Sequence, residues 1–273
     1  MICAQTCWED CFLYGELIQL VALTTYGNVW LRAVVSEAPP ELTRSSSHFI
    51  QYIASVRFLR NGQELSMGTA GWFGYLRRER ASRLQFIFGP PPEPFGVRAF
   101  ANANKWAIQV TCPDRWEVWN PRWVFDPVRR AWNVTYSAHE LGQPYPAESD
   151  SLETTAANLK AAARDAEQVS RKMGAEPITK LFAVTQQALE SQLLEPDWFV
   201  AMLPPFPHNP LARRMLCAVA KGWVFGGMGS WLDRGPDYGA ASRAEYESTT
   251  SRLWDAVLSA VAVATNAYLE PAG

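Results

Sequence analysis

The feature that most constrains this fold is a change of apolar spacing near residue 145. Before it, short runs rich in β-branched and aromatic residues alternate with turn signals. After it, apolar residues recur every three or four positions. Strands followed by helices, and not alternating with them, predict an α+β protein. The expected organisation is a β-rich, mostly antiparallel region over residues 1–146, with a short N-terminal helix, packed against a layer or bundle of about four helices over 147–273. Two domains and two layers of one unit both fit. The tryptophan-dense end of the first region favours one compact unit.

In the first region, Glu16 to Thr25 and Val29 to Val35 read as two strands around a Tyr26-Gly27-Asn28 turn. Phe49 to Arg60 reads as a longer strand ending at Asn61-Gly62, a pair suited to a type I′ turn because both positions need positive φ. Arg83 to Phe88 is a strand closed by Gly89-Pro90-Pro91-Pro92, since proline cannot continue a ladder. Val97 to Phe100, Trp106 to Cys112, Trp116 to Trp119 and Ala131 to Tyr136 are weaker strand candidates. Ala101 to Asn104 also suits a helical turn. A sheet or sandwich of six to nine strands follows.

The second region opens with Gln143-Pro144-Tyr145-Pro146, a stiff linker. Asp150 and Glu153 suggest a capping box. Leu152, Ala156, Leu159, Ala163, Ala166 and Val169 line one helix face, and Gly174 stands where a helix terminates. Pro177 opens a helix with Ile178, Leu181, Phe182, Leu189 and Leu193 on its face. After Pro204-Pro205-Phe206-Pro207, Asn209-Pro210 caps a third helix through Leu211, Met215, Val219 and Trp223. A last helix runs from about Ala240 to Tyr268, through Tyr246, Leu253, Val257, Ala260 and Ala264.

Between the last two helices lies the most site-like stretch, residues 222–235, which holds five of the chain's 17 glycines with Trp223, Phe225 and Trp231. It lacks the lysine of a phosphate loop and the preceding strand of a dinucleotide fingerprint. The amides of Gly226, Gly227, Met228 and Gly229, with Ser230, Trp231, Asp233 and Arg234, form a candidate anion-binding nest. The competing reading is a tight interhelical turn with its aromatics packed. Asp233, Asp237 and Glu245 flank the loop without the spacing of a calcium loop, which favours a solvated acidic rim.

Trp106, Trp116, Trp119, Trp123 and Trp132 place five of the 12 tryptophans in 27 residues, interleaved with Arg115, Arg122, Arg129 and Arg130. Such a mixture suits interface anchors. Asp114, Glu117 and Asp126 offset its charge and argue against nucleic acid. The bland alternative is that these tryptophans fill the interface between sheet and helices. Arg77-Arg78-Glu79-Arg80 with Arg83 reads as a solvated loop.

Cys3, Cys7 and Cys11 share a helical stripe, but His48, His139 and His208 are all distant, so buried hydrophobic thiols are expected over a zinc site. No motif for a cofactor or metal is identified. His139, beside Glu140, is a candidate acid/base. The net charge of −2 gives no global attraction to nucleic acid or membrane. No apolar run is long enough to span a bilayer, and no export signal is read, so a cytoplasmic setting with reduced thiols is expected. The leading expectation is a cytosolic, non-catalytic binding or regulatory protein of the partner-recognition or immunity type. The alternative is an enzyme acting on a small anionic or aromatic substrate at the junction of the two regions, through His139 and the glycine loop.

Overall fold

The structure, a computed structural model, describes residues 12–32, 53–90, 93, 97–98, 101–146, 150–190, 203–204, 209–226, 230–233 and 240–270. Cys3, Cys7, Cys11, His48, His208, Leu193, Gly227, Met228, Gly229, Arg234 and Asp237 lie outside the described residues. The fold is α+β, with a six-stranded sheet in the N-terminal half and helices in the C-terminal half. The chain divides into two compact units, residues 14–147 with 200–206, and residues 1–13, 148–199 and 207–273.

The β-rich unit contains α1 (Phe12–Arg32), β1 (Ile53–Arg60), β2 (Gln63–Met67), α2 (Thr69–Arg78), β3 (Arg83–Phe88), β4 (Trp106–Thr111), β5 (Trp116–Asp126) and β6 (Ala131–Leu141). The strand order is β2-β1-β6-β5-β4-β3. Every neighbouring pair is antiparallel except β1 and β6, which run parallel. The β1–β2 hairpin turns at Asn61 (φ 52°) and Gly62 (φ 76°), as their chemistry requires.

One sheet face carries the aromatic core. Phe58 pairs with Tyr136, and Tyr136 with Pro121. Phe58 stacks between Trp72 of α2 at 4.6 Å and Tyr136 at 5.1 Å, and Trp119 meets Trp72 edge-on at 5.6 Å. Trp119 is therefore packed inside this unit. On the other face Gln109 donates to Gln85 at 3.0 Å and accepts from the Tyr145 amide at 2.6 Å, tying down the linker.

Five expectations are corrected here. The Glu16 to Thr25 strand, the Tyr26-Gly27-Asn28 turn and the start of the Val29 to Val35 strand are all replaced by the single helix α1, and residues 33–35 lie outside the described residues. Leu17 to Leu23 are all buried, Gln19 included, and a helix that is buried nearly all round has no apolar period to separate it from a buried strand. Gly27 permits close approach, not a turn: a Cβ there would lie 2.7 Å from Leu84 Cδ2 and 3.0 Å from Phe73 Cε1. Val97 and Arg98 form a short helical turn and not a strand. The basic run Arg77 to Arg80 ends helix α2, and the Arg77 guanidinium lies 3.7 Å over the Trp30 ring while donating to Trp30 O at 2.5 Å.

The helical unit comprises α3 (Leu152–Lys172), α4 (Glu176–Glu190), α5 (Pro210–Lys221) and α6 (Ala240–Asn266). α3 packs on α4 and α6, and α5 on the same two helices, which closes a four-helix arrangement. Ser151 caps α3 by accepting from the Thr154 amide at 3.2 Å, in place of the expected Asp150–Glu153 box. Gly174 ends the helix with φ 65°. Asn209 caps α5 by accepting from Leu211 N at 3.1 Å and Ala212 N at 3.2 Å, with Pro210 opening the helix. Where α5 ends, a Cβ on Gly222 would come within 1.6 Å of Thr185 Oγ1, so only glycine allows this approach to α4. Leu181, expected on the inner face of α4, is exposed. Among the described residues no helix is long and apolar enough to cross a membrane.

Candidate functional site

The described part of the glycine loop is anchored by its aromatics. Trp231 is fully buried. Its amide donates to Val224 O at 3.1 Å, its indole N–H donates to Thr250 Oγ1 at 2.8 Å, and its carbonyl accepts from the Tyr246 hydroxyl. Phe182 meets it edge-on at 5.3 Å. Phe225 packs on Trp254 at 4.9 Å, with Trp223 beside both. Gly226 takes φ 114° with open space where a Cβ would be. Ser230 and Asp233 close a short turn: Ser230 N donates to Asp233 Oδ2 at 3.3 Å and Asp233 N donates to Ser230 O at 3.2 Å. His139 stands exposed on β6 opposite Val118, in the other unit. Among the described residues no group of three or more His, Cys, Asp or Glu side chains is placed to hold a metal ion.

The tryptophan and arginine stretch separates into two ends of β5. At its start, Glu117 is buried (1% exposed) and holds several donors. It accepts from Arg115 Nε at 2.9 Å, Arg60 Nε at 3.1 Å, the Tyr75 hydroxyl at 3.2 Å and the Trp119 indole at 3.2 Å. Arg115 also reaches Glu79 at 2.7 Å and Asp114 at 3.0 Å. Burial, reinforced by the Glu117 charge, pushes the Tyr75 phenol up to about 12, so it remains a donor. The same causes push the nearby Cys112 thiol up to about 11, far from a reactive thiolate. Three of these donors converge on Oε1, and the Trp119 indole reaches Oε2, with the Tyr75 hydroxyl also 3.5 Å from Oε2. This cluster ties α2, β1 and β5 together around a buried carboxylate.

The other end of β5 differs. Beyond Trp119 the β4 ladder stops and Pro121, which has no N–H, enters the strand. β5 nevertheless continues to Asp126, paired only with β6. Its open edge is closed by a side chain: Asn102 accepts from Trp123 N at 2.6 Å and donates to Trp123 O at 2.8 Å. Asn102 itself has φ 64°, and its amide donates to buried Glu16 at 2.9 Å. Burial of Glu16, partly offset by that bond, raises its carboxyl to about 7. Asn28 does the same for the sheet's outer strand, donating to Leu84 O and accepting from Leu84 N, both at 2.8 Å.

The hairpin tip is ordered from within. Asp126 Oδ1 accepts from Val128 N at 2.9 Å and Arg129 N at 3.0 Å, while its Oδ2 lies 3.8 Å from Arg129 Nε. Trp123, Trp132 and Phe125 form a ladder with centroid spacings of 6.1 and 5.3 Å, running from the core outward. Along it burial fails, from buried Trp123 to Phe125 at 44% exposed; on the opposite face of the strand Val124 is 51% exposed, and in the turn Val128 is 91% exposed. Arg122, Arg129 and Arg130 are exposed around them. Sequence spacing shows the aromatic and arginine enrichment but not which members surface.

Against this geometry, comparison with protein-family models, curated proteins and solved structures returns no match to the chain.

Proposed function

We propose that this chain is a non-catalytic binding or regulatory protein, working in the cytoplasm, that recognises a protein partner through the outer β5–β6 hairpin. One observation carries the reading. Three of the seven exposed large hydrophobic residues described, Val124, Phe125 and Val128, fall within five positions of one ordered tip, Val124 and Phe125 on its two faces. Isolated exposed apolar residues are ordinary, whereas a cluster rimmed by polar groups marks an interaction site. Rigidity matters because an ordered tip loses little conformational entropy on binding. Aromatic and arginine side chains are also the residue types that dominate interface energetics. A partner-recognition role of the immunity type fits such a surface.

The test is selection from a random displayed peptide library on the full chain, with counter-selection on the Phe125→Ser/Val128→Asp variant. Peptides that lose at least about tenfold in affinity on the variant are expected, the scale of a lost anchor. Peptides that bind the folded variant equally well would overturn the proposal.

A further inference from the structure

We infer that the partner offers the hairpin an apolar socket rimmed by carboxylates; this rests on the hairpin reading above. The charge of the tip departs from that of the chain. Overall the chain carries −2, yet Arg122, Arg129 and Arg130 surround the tip with Asp126 as the one carboxylate between Arg122 and Trp132. Asp126 is committed to the turn and to Arg129. Glu117 and Asp114, which offset the arginines in sequence, are engaged with Arg115 at the start of the strand. Glu117 lies five strand positions from Arg122, about 17 Å at the usual rise, and about nine from the turn that carries Arg129 and Arg130. These spacings are at least about twice the screening length of about 8 Å at physiological salt, which weakens the hold of those carboxylates on the tip.

Val128 is followed in sequence by Arg129 and Arg130, and Val124 shares a sheet face with Arg122 two positions away, while Phe125 lies on the opposite face. Burying Val128 in bilayer hydrocarbon would drag two guanidiniums toward it, which is costly at depth. A protein socket that receives the valine and phenylalanine while aiming Asp or Glu at the rim pairs those guanidiniums, in the forked geometry arginine favours. The hairpin exposes three arginines but a single ring, Phe125, which gives neither the aromatic platform nor the backbone-tracking groove of a nucleic-acid surface.

The test uses the peptides selected on the full chain, together with sedimentation against vesicles of phosphatidylcholine and phosphatidylserine. Selected peptides are expected to carry Asp or Glu beside apolar residues. Their affinity should fall with added salt, and Arg129→Glu/Arg130→Glu should weaken it at least about tenfold, chiefly by slowing association. If that double variant does not fold, Arg129→Glu alone with the salt titration gives the same readout. Peptides without acidic bias that bind the reversal variant unchanged would overturn the carboxylate rim. The hairpin reading would survive that result if Val128→Asp still abolished binding, and would fail with it if Val128→Asp had no effect. Vesicle binding abolished by Val128→Asp would overturn the socket in favour of a membrane surface.

Discussion

Two asparagines, Asn28 and Asn102, each cap a strand by the same pair of hydrogen bonds, yet they should respond oppositely to glycine. Asn28 is buried in helix α1 and pairs with fully buried Leu84. Asn28→Ala leaves the Leu84 N–H and C=O unmatched at roughly 1.5 kcal/mol each, offset by about 0.5 kcal/mol of helix propensity, for a net loss of about 2.5 kcal/mol. Asn28→Gly adds about 1 kcal/mol of helix penalty and should cost about 3.5 kcal/mol. Asn102 is exposed and held at φ 64°. Solvent limits its two bonds to about 0.5 kcal/mol each, while alanine in the left-handed region costs about 1 kcal/mol, so Asn102→Ala should lose about 2 kcal/mol. Asn102→Gly keeps the conformation and should lose only about 1 kcal/mol. Urea denaturation followed by tryptophan fluorescence ranks the four variants. Hydrogen exchange at the Trp123 amide should accelerate in both Asn102 variants and in neither Asn28 variant. Glycine costing more than alanine at both positions would refute the assignment of Asn102 as a left-handed edge cap.

Three further outcomes are expected. Glu16 has its carboxyl raised from 4.5 to about 7, so the folded state holds this proton more tightly than the unfolded chain. The sign follows: this contribution is full below about pH 4.5 and is lost as pH rises to about 7, by roughly 3 kcal/mol. Urea midpoints across that range should show the loss in the wild type and a flatter profile in Glu16→Gln, which keeps an acceptor for Asn102. Glu117→Ala removes the buried acceptor shared by Arg115, Arg60, Tyr75 and Trp119, with Arg115 keeping Glu79 and Asp114, and should destabilise by about 3 kcal/mol in the same assay. Native alkylation followed by mass mapping should leave Cys112 and Cys217 unmodified, because both are buried and the Cys112 thiol is pushed up to about 11; rapid labelling of either would show that its surroundings are open.

Parts of the fold were legible because the signal is local. Asn61-Gly62, Gly174 and Asn209-Pro210 work through their own φ or side-chain oxygen, and each stands where its chemistry places it. Helix α1 was illegible for a non-local reason: it is enclosed on most sides, so its polar residues Glu16, Gln19 and Asn28 face partners distant in sequence rather than water. Pro121 made β5 look shorter than it is, since a proline ends a strand only where its missing N–H was needed, and β4 has already stopped there. The tryptophan and arginine stretch was visible as composition, but composition does not separate Glu117, which neutralises Arg115, from a tip some nine residues further along. The aromatics of the glycine loop were legible as large groups near a turn, and their burial follows from Thr250, Tyr246 and Phe182 on other helices.

The most direct measurement of the binding reading is hydrogen exchange on the full chain with and without a selected peptide. Added protection confined to residues 122–132, and abolished in Val128→Asp, is the expected result. Protection that leaves this hairpin unchanged and falls instead on the glycine loop or on the surface around His139 would contradict it.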